Sequence, residues 1–533
     1  MQKFLQFFNT RATPQSQPIP GTTQVANSAG GFAWELDVWS KLDRFLVLGT
    51  EGGTFYVKEG PLTLENADAV SKAIEADGLR VVNRVVEISQ AGRAAKNDPA
   101  LFVLAMAASL GEPEVRKAAL DVLPLVARTG THLFHFLQYV EGFRGWGRGL
   151  RRAVGAWYTA KPADNLALQL VKYQQRDGWS HRDALRLAHP KPPTAEHATL
   201  YRWAVGKSDT PSIEGSGIAL LDAFVRVQAA TKESQVVDAI VTNKLPREAV
   251  PTEWLTKPAV WEALLQDMPL EAMVRNLATM TRVGLLAPGS DASKLVSVRL
   301  RDAERIRKAR LHPVKLLAAL VTYQNGRGAR SKGDGWNPVT GIVDALDSAF
   351  YLAFGNVEPS NKRLVFGLDV SGSMFGGTVS GVPGLTPGVA TAALALVNAA
   401  TERDYQLMAF STKLVPLNIS PRQRLDDVVK TMNQVPFGGT DCALPMLWAL
   451  EHKVKADAFV ILTDSETWFG KIHPAQALQQ YRERMGIDAK LVVVGMVANK
   501  FSIADPKDAR MLDVVGFDTA VPQLISDFAA GRN

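Results

Sequence analysis

Asp369, Ser371 and Ser373 stand in an Asp-x-Ser-x-Ser arrangement that ends the apolar run Leu364-Val365-Phe366-Gly367-Leu368. A second carboxylate, Asp464, ends the run Phe459-Val460-Ile461-Leu462-Thr463, and between the two Gly438-Gly439-Thr440-Asp441 adds a hydroxyl and a carboxylate before a helical stretch. Strands that end in polar residues deliver them to the crevice outside the carboxyl edge of a parallel sheet, where ligands bind. Asp369 and Asp464, with the hydroxyls of Ser371, Ser373 and Thr440 and no His or Cys, make a hard, all-oxygen donor set suited to Mg2+ or Mn2+ rather than zinc. Capping of the loops by Asp and Ser is the competing reading. No positioned base or nucleophile accompanies them. Glu466 reads as an exposed, solvated carboxylate and Cys442 as a small residue packed at a helix start, so binding without catalysis is the expectation.

A different chemistry is concentrated upstream. The run Lys172-Tyr173-Gln174-Gln175-Arg176-Asp177-Gly178-Trp179-Ser180-His181-Arg182 is followed by Arg186, His189 and Lys191. The spacing predicts one helix with Lys172 and Arg176 on a shared face, ended by Gly178. A second helix follows, capped by Ser180 and supported by Asp183, with Arg182, Arg186 and His189 along one face. Like charges four apart repel unless a polyanion lies across them, so nucleic-acid phosphate suits these cations. A solvated basic face is the alternative, and Trp179 reads as core. Arg144, Trp146, Arg148, Arg151 and Arg152 form a second, weaker basic stretch. A third runs from Arg299 to Arg310, diluted by Asp302 and Glu304.

The elements that must position these groups follow from hydrophobic periodicity. Helical spacing in short segments recurs over 69–92, 99–110, 113–127, 131–140, 164–175, 195–205, 218–230, 251–265, 270–281 and 313–323, an α-rich array without a fixed repeat. Such an array is read either as an α-solenoid or as a globular helical domain. Near residue 357 the pattern changes to strands over 363–370, 405–411, 458–464 and 490–497, alternating with helices over 387–402, 423–435, 474–485 and 521–530. That alternation implies a mainly parallel sheet covered on both faces. Residues 1–30, with Pro14, Pro18 and Pro20, read as an arm or loop, residues 31–360 as the helical part and 361–533 as the α/β part.

The whole chain has 533 residues, 46% of them apolar and 21% charged, which is ordinary globular composition and argues against disorder. One cysteine excludes an intramolecular disulfide and a Cys-based zinc site, and fits a reducing compartment. No segment reaches the ~18 apolar residues of a membrane span, and no signal-peptide pattern opens the chain, so a cytoplasmic protein is expected. The net charge is +7, and because residues from Asn361 onward hold 17 Lys and Arg against 17 Asp and Glu, the excess lies entirely in the helical part. A polyanionic partner, nucleic acid before membrane, is the consequence.

The Asp369, Thr440 and Asp464 loops resemble the metal-ion-dependent adhesion site of von Willebrand factor A-type domains. Further stretches extend the resemblance: Gln24-Val25-Ala26-Asn27 to Trp34, Arg44 to Thr54, Lys172 to His189, and Leu311-His312-Pro313 to Gly328. Together they resemble the Ro ribonucleoprotein autoantigen family, in which a TROVE module precedes a von Willebrand A-type domain. The resemblance implies a ring of HEAT-like helical repeats followed by a doubly wound A-type domain. It implies an outer surface that binds Y RNA through Lys172, Arg176 and His189, and a central hole that admits the single-stranded 3′ end of misfolded or damaged non-coding RNA. Arg182, Arg186, Arg144 and Arg148 join the RNA-binding set on charge alone. Bacterial members imply association with polynucleotide phosphorylase, a 3′-to-5′ exoribonuclease, in RNA turnover and stress survival. The absence of a basic nuclear-import run and of sequence beyond Asn533 fits a bacterial setting, and a monomer suits a closed ring. The rival expectation is a protein-binding scaffold in which a metal at Asp369 captures an acidic side chain.

Overall fold

Residues 12–49, 67–94, 96–206, 216–327, 335–355, 357–376, 379, 385–436, 438–497 and 500–532 are described by a computed structural model. The part of the Arg44–Thr54 stretch beyond residue 49, and Gly328, lie outside the described residues. No helix among the described residues is long and apolar enough to cross a membrane.

The chain opens on a short antiparallel pair, β1 (Gln24–Ala26) and β2 (Phe32–Glu35), and then becomes helical. The helices Asp68–Ala91, Asp98–Leu110, Gly130–Phe143, Ala195–Ala204, Leu270–Arg282 and Pro313–Gln324 match the periodic segments to within a few residues. Two expected helices are shortened or divided by proline. The stretch 113–127 becomes Pro113–Asp121 and Leu123–Val126, because Pro124 cannot donate to the preceding turn. The stretch 251–265 becomes Pro258–Asp267 preceded by a single 3-10 turn, Trp254–Thr256.

The 164–175 segment is also corrected. Its helix, Ala163–Lys172, stops at Lys172, and the chain enters a hairpin of β3 (Gln175–Arg176) and β4 (Trp179–Ser180). Lys172 and Arg176 therefore do not share a helix face. Asp177 (φ 52°) and Gly178 (φ 79°) both adopt the left-handed conformation. Asp-Gly is a strong two-residue hairpin signal, and the positive φ at both positions is what such a turn requires. The second helix is as expected: Ser180 caps His181–Ala188, its Oγ accepting from the Asp183 N–H at 3.3 Å while Asp183 Oδ2 accepts from the Ser180 N–H at 3.1 Å.

His181 opens that helix and is a core residue. Its Nδ1 accepts from the Tyr158 hydroxyl at 2.7 Å and its Nε2 lies 3.3 Å from the Gln169 carbonyl. Burial pushes its pKa down to about 4, below the usual imidazole value of 6.5. A depressed folded-state pKa contributes stability that is present above the unfolded value and lost as pH falls toward the folded one. Between pH 7 and pH 5 the cost is expected to be about 2 kcal/mol. Urea unfolding at the two pH values, in the wild type and in His181→Gln, measures it. The wild type should lose about that much more than the variant.

The two ends of the helical array meet. The Arg310 guanidinium donates to the Gln90 carbonyl at 2.8 Å, and His312 Nε2 to the Arg93 carbonyl at 2.7 Å. Arg93 in turn donates to Asp518 and to the Val515 carbonyl of the α/β part. Packing is continuous as well, since one apolar cluster joins the helices from about Ala223 to Phe354 to one face of the C-terminal sheet.

That sheet holds β5 (Arg363–Asp369), β6 (Asp404–Phe410), β7 (Leu414–Pro416), β8 (Ala458–Thr463), β9 (Lys490–Gly495) and β11 (Met511–Val515), in the order β11-β9-β8-β5-β6-β7. Only β7 is antiparallel, an edge strand too short to show in the sequence pattern. In β5, Leu364, Phe366 and Leu368 enter the cluster shared with the helices Pro387–Thr401 and Val521–Ala530, whereas Val365 faces that of Leu444–Glu451 and Pro474–Met485. The period-2 alternation thus buries both faces, at roughly 1.5–3 kcal/mol for each large apolar side chain. A two-residue strand, β10 (Phe501–Ser502), pairs with β2, so residues 32–35, expected in the helical part, lie along the α/β part together with β1 of the expected arm.

Candidate nucleic-acid interface and metal centre

Trp179 is buried and its ring centroid lies 5.8 Å from that of Trp146. This contact sets the Arg144–Arg148 loop against the hairpin, joining two basic stretches that the sequence presents separately. A Cβ on Gly155, in the helix Arg148–Thr159, would meet Pro190 at 3.6 Å, so the turn after His189 adjoins that helix. Arg144, Arg148, Arg176, Arg182, Arg186 and His189 are all exposed on these adjoining elements. Arg176 lies 3.5 Å from Asp177, an exposed pair that holds it weakly. His189 caps its helix in the left-handed conformation, φ 47°.

Lys172 lies elsewhere. With Arg128, Arg275, Arg310 and Lys315 it lines a cavity of about 430 Å³, where Tyr173 and His132 also stand. One carboxylate, Glu271, enters this group and is bonded by Lys315 at 2.9 Å. Burial pushes its pKa up, but Lys315, Arg275 and Lys172 outweigh burial and hold it below the usual range. Arg128 is disfavoured as a cation by burial and by Arg310. The cavity is thus a cationic field that a polyanion would relieve. Arg128, Arg275 and Lys315 carry no sequence signal, because they sit singly, Arg128 in a loop and the other two on helices far apart in the chain. The third basic stretch is largely consumed locally: Arg299 donates to the Leu265 and Gln266 carbonyls, Arg305 pairs with Asp302 and Arg307 with Glu304.

In the α/β part, Asp369 ends β5 and is fully buried. Its Oδ1 accepts from the Ser371 N–H at 2.8 Å and its Oδ2 from the Thr463 hydroxyl at 2.6 Å, while the Ser371 and Ser373 hydroxyls lie 3.1 Å apart. Ser373 also bonds Asp464, whose Oδ1 accepts from the Glu466 N–H at 3.0 Å. Thr440 is tied to the same loop, its carbonyl accepting from the Trp468 and Phe469 N–H groups at 3.1 and 3.0 Å. The structure therefore brings Asp369, Ser371, Ser373 and Asp464 together and ties the backbone of Thr440 to the loop that follows Asp464. Burial and the neighbouring Asp464 charge raise Asp369, and burial raises Asp464. A divalent cation would offset that cost, so the donor set fits one. No cluster of three or more His, Cys, Asp or Glu that could hold a metal occurs among the described residues, so a cation here would need the hydroxyls as well as the two carboxylates.

Glu466 is not the solvated carboxylate expected. It is 1% exposed, and its Oε2 accepts from the Ala29 N–H at 3.1 Å. Burial, then Asp464, pushes its pKa up to about 8. The N-terminal segment covers it. Gln15, fully buried, donates to Asp441 at 2.6 Å and to the Ile472 carbonyl at 2.8 Å and accepts from the Thr467 hydroxyl, while Asn27 donates to the Thr467 carbonyl at 2.6 Å. Nothing in the sequence distinguishes these amides from others in a polar loop. Gln15→Ala is expected to cost about 2–3 kcal/mol by leaving buried groups unpaired, read by urea unfolding. Cys442 is buried beside the site, and burial raises its thiol well above the usual range, which makes it unreactive.

Residues 25–209 and 241–322 match the TROVE domain, and residues 363–529 match the Ro60 vWA domain. The chain belongs to the Ro60 family. It is 42% identical to the RNA-binding protein RO60 of Deinococcus radiodurans over 100% of both chains. It is 36% identical to the RNA-binding protein RO60 of Caenorhabditis elegans over 96% of this chain and 90% of that one. The crystal structure of the Deinococcus radiodurans Ro protein superposes with a TM-score of 0.73 at 43% identity, covering 93% of this chain and 100% of that one. A helix-rich region followed by a von Willebrand A-type domain is thus the architecture of the Ro60 family as well as of this chain.

Proposed function

We propose that this protein binds RNA, forming a ribonucleoprotein with a small non-coding Y RNA and taking the single-stranded 3′ ends of misfolded or damaged non-coding RNA. In this reading it assists 3′-to-5′ exonucleolytic turnover, with polynucleotide phosphorylase or a similar exoribonuclease as the partner. The observation that carries the reading is the convergence of Arg128, Lys172, Arg275, Arg310 and Lys315 on one cavity. Its volume, about 430 Å³, suits an unpaired strand end rather than a duplex. Lysine and arginine neutralise phosphates, and Tyr173 offers a ring on which an unpaired base stacks. The exposed Arg144, Arg148, Arg176, Arg182, Arg186 and His189 suit the backbone of a folded RNA. The names of the relatives and the TROVE match support the RNA-binding part of this reading.

Mg2+ is the metal we assign to Asp369, Ser371, Ser373, Thr440 and Asp464, where it supplies an open position for an oxygen ligand. The role is binding, not catalysis. Fluorescence anisotropy with a hairpin RNA, with and without an unpaired 3′ tail, tests the proposal across salt concentrations. Both RNAs should bind, the tailed one more tightly, with affinity falling steeply as salt rises. Neither RNA should be cut when Mg2+ is present. Absence of binding in dilute buffer would refute RNA recognition, and cleavage by the protein alone would make it a nuclease.

A further inference from the structure

His135, on the helix Gly130–Phe143, stands between two carboxylates from different parts of the chain. Its Nδ1 lies 2.7 Å from Oδ1 of Asp98, which opens the helix Asp98–Leu110, and its Nε2 lies 3.2 Å from Oδ2 of Asp177 in the β3–β4 turn. Both ring nitrogens are closed to water, and no other group hydrogen-bonds them. A neutral imidazole has one N–H and one lone pair, so it donates to one carboxylate and turns its lone pair on the other, whereas an imidazolium donates to both. Only the charged ring satisfies this place. Asp177 is contested as well, because its other oxygen lies 3.5 Å from Arg176 Nε. Side-chain exposure rises from 13% at His135 through 39% at Asp177 to 60% at Arg176, so the inner of the two pairs is the less screened.

We propose that His135 is a positioning residue for the RNA-binding face, a clamp whose protonation decides whether Asp177 or an RNA phosphate holds Arg176. As imidazolium it ties Asp177 down and leaves Arg176 to the RNA. As neutral imidazole it gives its one N–H to the nearer Asp98 and turns a lone pair on Asp177, which swings to Arg176. Affinity for folded RNA therefore falls as pH rises. The other titratable groups around the ring hold still near neutral pH. Burial, then Arg128, pushes His132 down to about 4, and burial pushes Tyr139 up to about 12. Burial pushes Asp98 up, but His135 outweighs it and holds that carboxyl below the usual range. Arg128 and Lys315 act on His132 from the cavity, whereas Asp98 and Asp177 face His135 directly. The inference rests on the RNA-binding reading of Arg176, while the clamp itself can be measured without RNA.

The test measures affinity of the full-length protein for a tailless RNA stem-loop at pH 6 and pH 8, at constant ionic strength, in the wild type, His135→Gln and Asp177→Asn. His189 stands on the same face in all three proteins, so its share cancels in the comparison. Asn accepts the left-handed conformation of Asp177, so the turn survives that change. Between the two pH values the wild type should lose about three- to fivefold more affinity than either variant. Asp177→Asn added to His135→Gln should restore the tight binding, a rescue that a merely structural role of His135 does not allow. Hydrogen exchange of residues 175–180 in the RNA-free protein, corrected for its intrinsic pH dependence, should rise from pH 6 to pH 8 in the wild type and be high at both in His135→Gln. The proposal is overturned if both variants keep the wild-type pH dependence of binding, or if exchange in the wild-type turn ignores pH. Absence of RNA binding with the exchange change intact would refute the RNA reading and support the clamp.

Discussion

Arg176→Ala combined with Arg182→Ala lowers affinity for a folded small RNA by roughly ten- to a hundredfold at physiological salt, while binding of an unpaired 3′ tail changes little. Lys172→Ala combined with Arg275→Ala does the reverse. The two outcomes separate because the hairpin at Asp177-Gly178 places Arg176 on the exposed face, whereas Lys172 ends its helix at the cavity. Each lost phosphate contact should flatten the slope of log affinity against log salt by about 0.9 for duplex and about 0.7 for single strand, hence by nearly two units for the first pair. Salt titrations on a tailless hairpin and on a single-stranded oligonucleotide provide the measurement. If both pairs weakened both RNAs equally, the cavity and the outer face would have to be one site.

Mg2+ is expected to raise the thermal stability of the wild type and to leave Asp464→Asn and Asp369→Asn unaffected. A ligand that binds only the folded state stabilises it by about 2.7 kcal/mol at a hundredfold excess over its dissociation constant. The expected effect is large because Asp369 and Asp464 are buried side by side, and a bound metal would offset a charge that burial otherwise penalises. Differential scanning fluorimetry in Mg2+, in Mn2+ and in chelator decides the matter. Identical melting in all three would leave these residues as loop caps, the alternative reading of Asp-x-Ser-x-Ser.

The α/β part is largely legible in the pattern, for a definable reason. In β5, β8 and β9 every residue after Arg363 and Lys490, the half-buried first residues of β5 and β9, is buried, so the apolar runs are long and end abruptly at Asp369, at Asp464 and near Gly495. The edge strand β7 and the pairing of β2 with β10 were not legible, since strands of two to four residues have no period to detect. In the helical part the positions of helices were legible and their interruptions less so. Pro124 and Pro258 break helices whose apolar spacing runs on through them, and Asp177-Gly178 is a turn signal that competes with the four-residue spacing of Lys172 and Arg176.

By itself the amino-acid order determined the two architectures, the carboxylates at the ends of β5 and β8 and the basic character of the first part. These are local properties: each is written in a run of adjacent residues whose period or termination has a direct physical meaning. Tertiary structure alone decided which cations meet. Arg128, in an interhelical loop, and Lys172, Arg275 and Lys315, on three separate helices, become neighbours only when the array closes through Arg93, Arg310 and His312. It also decided that Glu466 is buried, because residues 12–35 fold back over a loop more than 400 positions away. Long-range packing of this kind depends on shape and on the pairing of buried polar groups, and neither leaves a periodic trace along the chain.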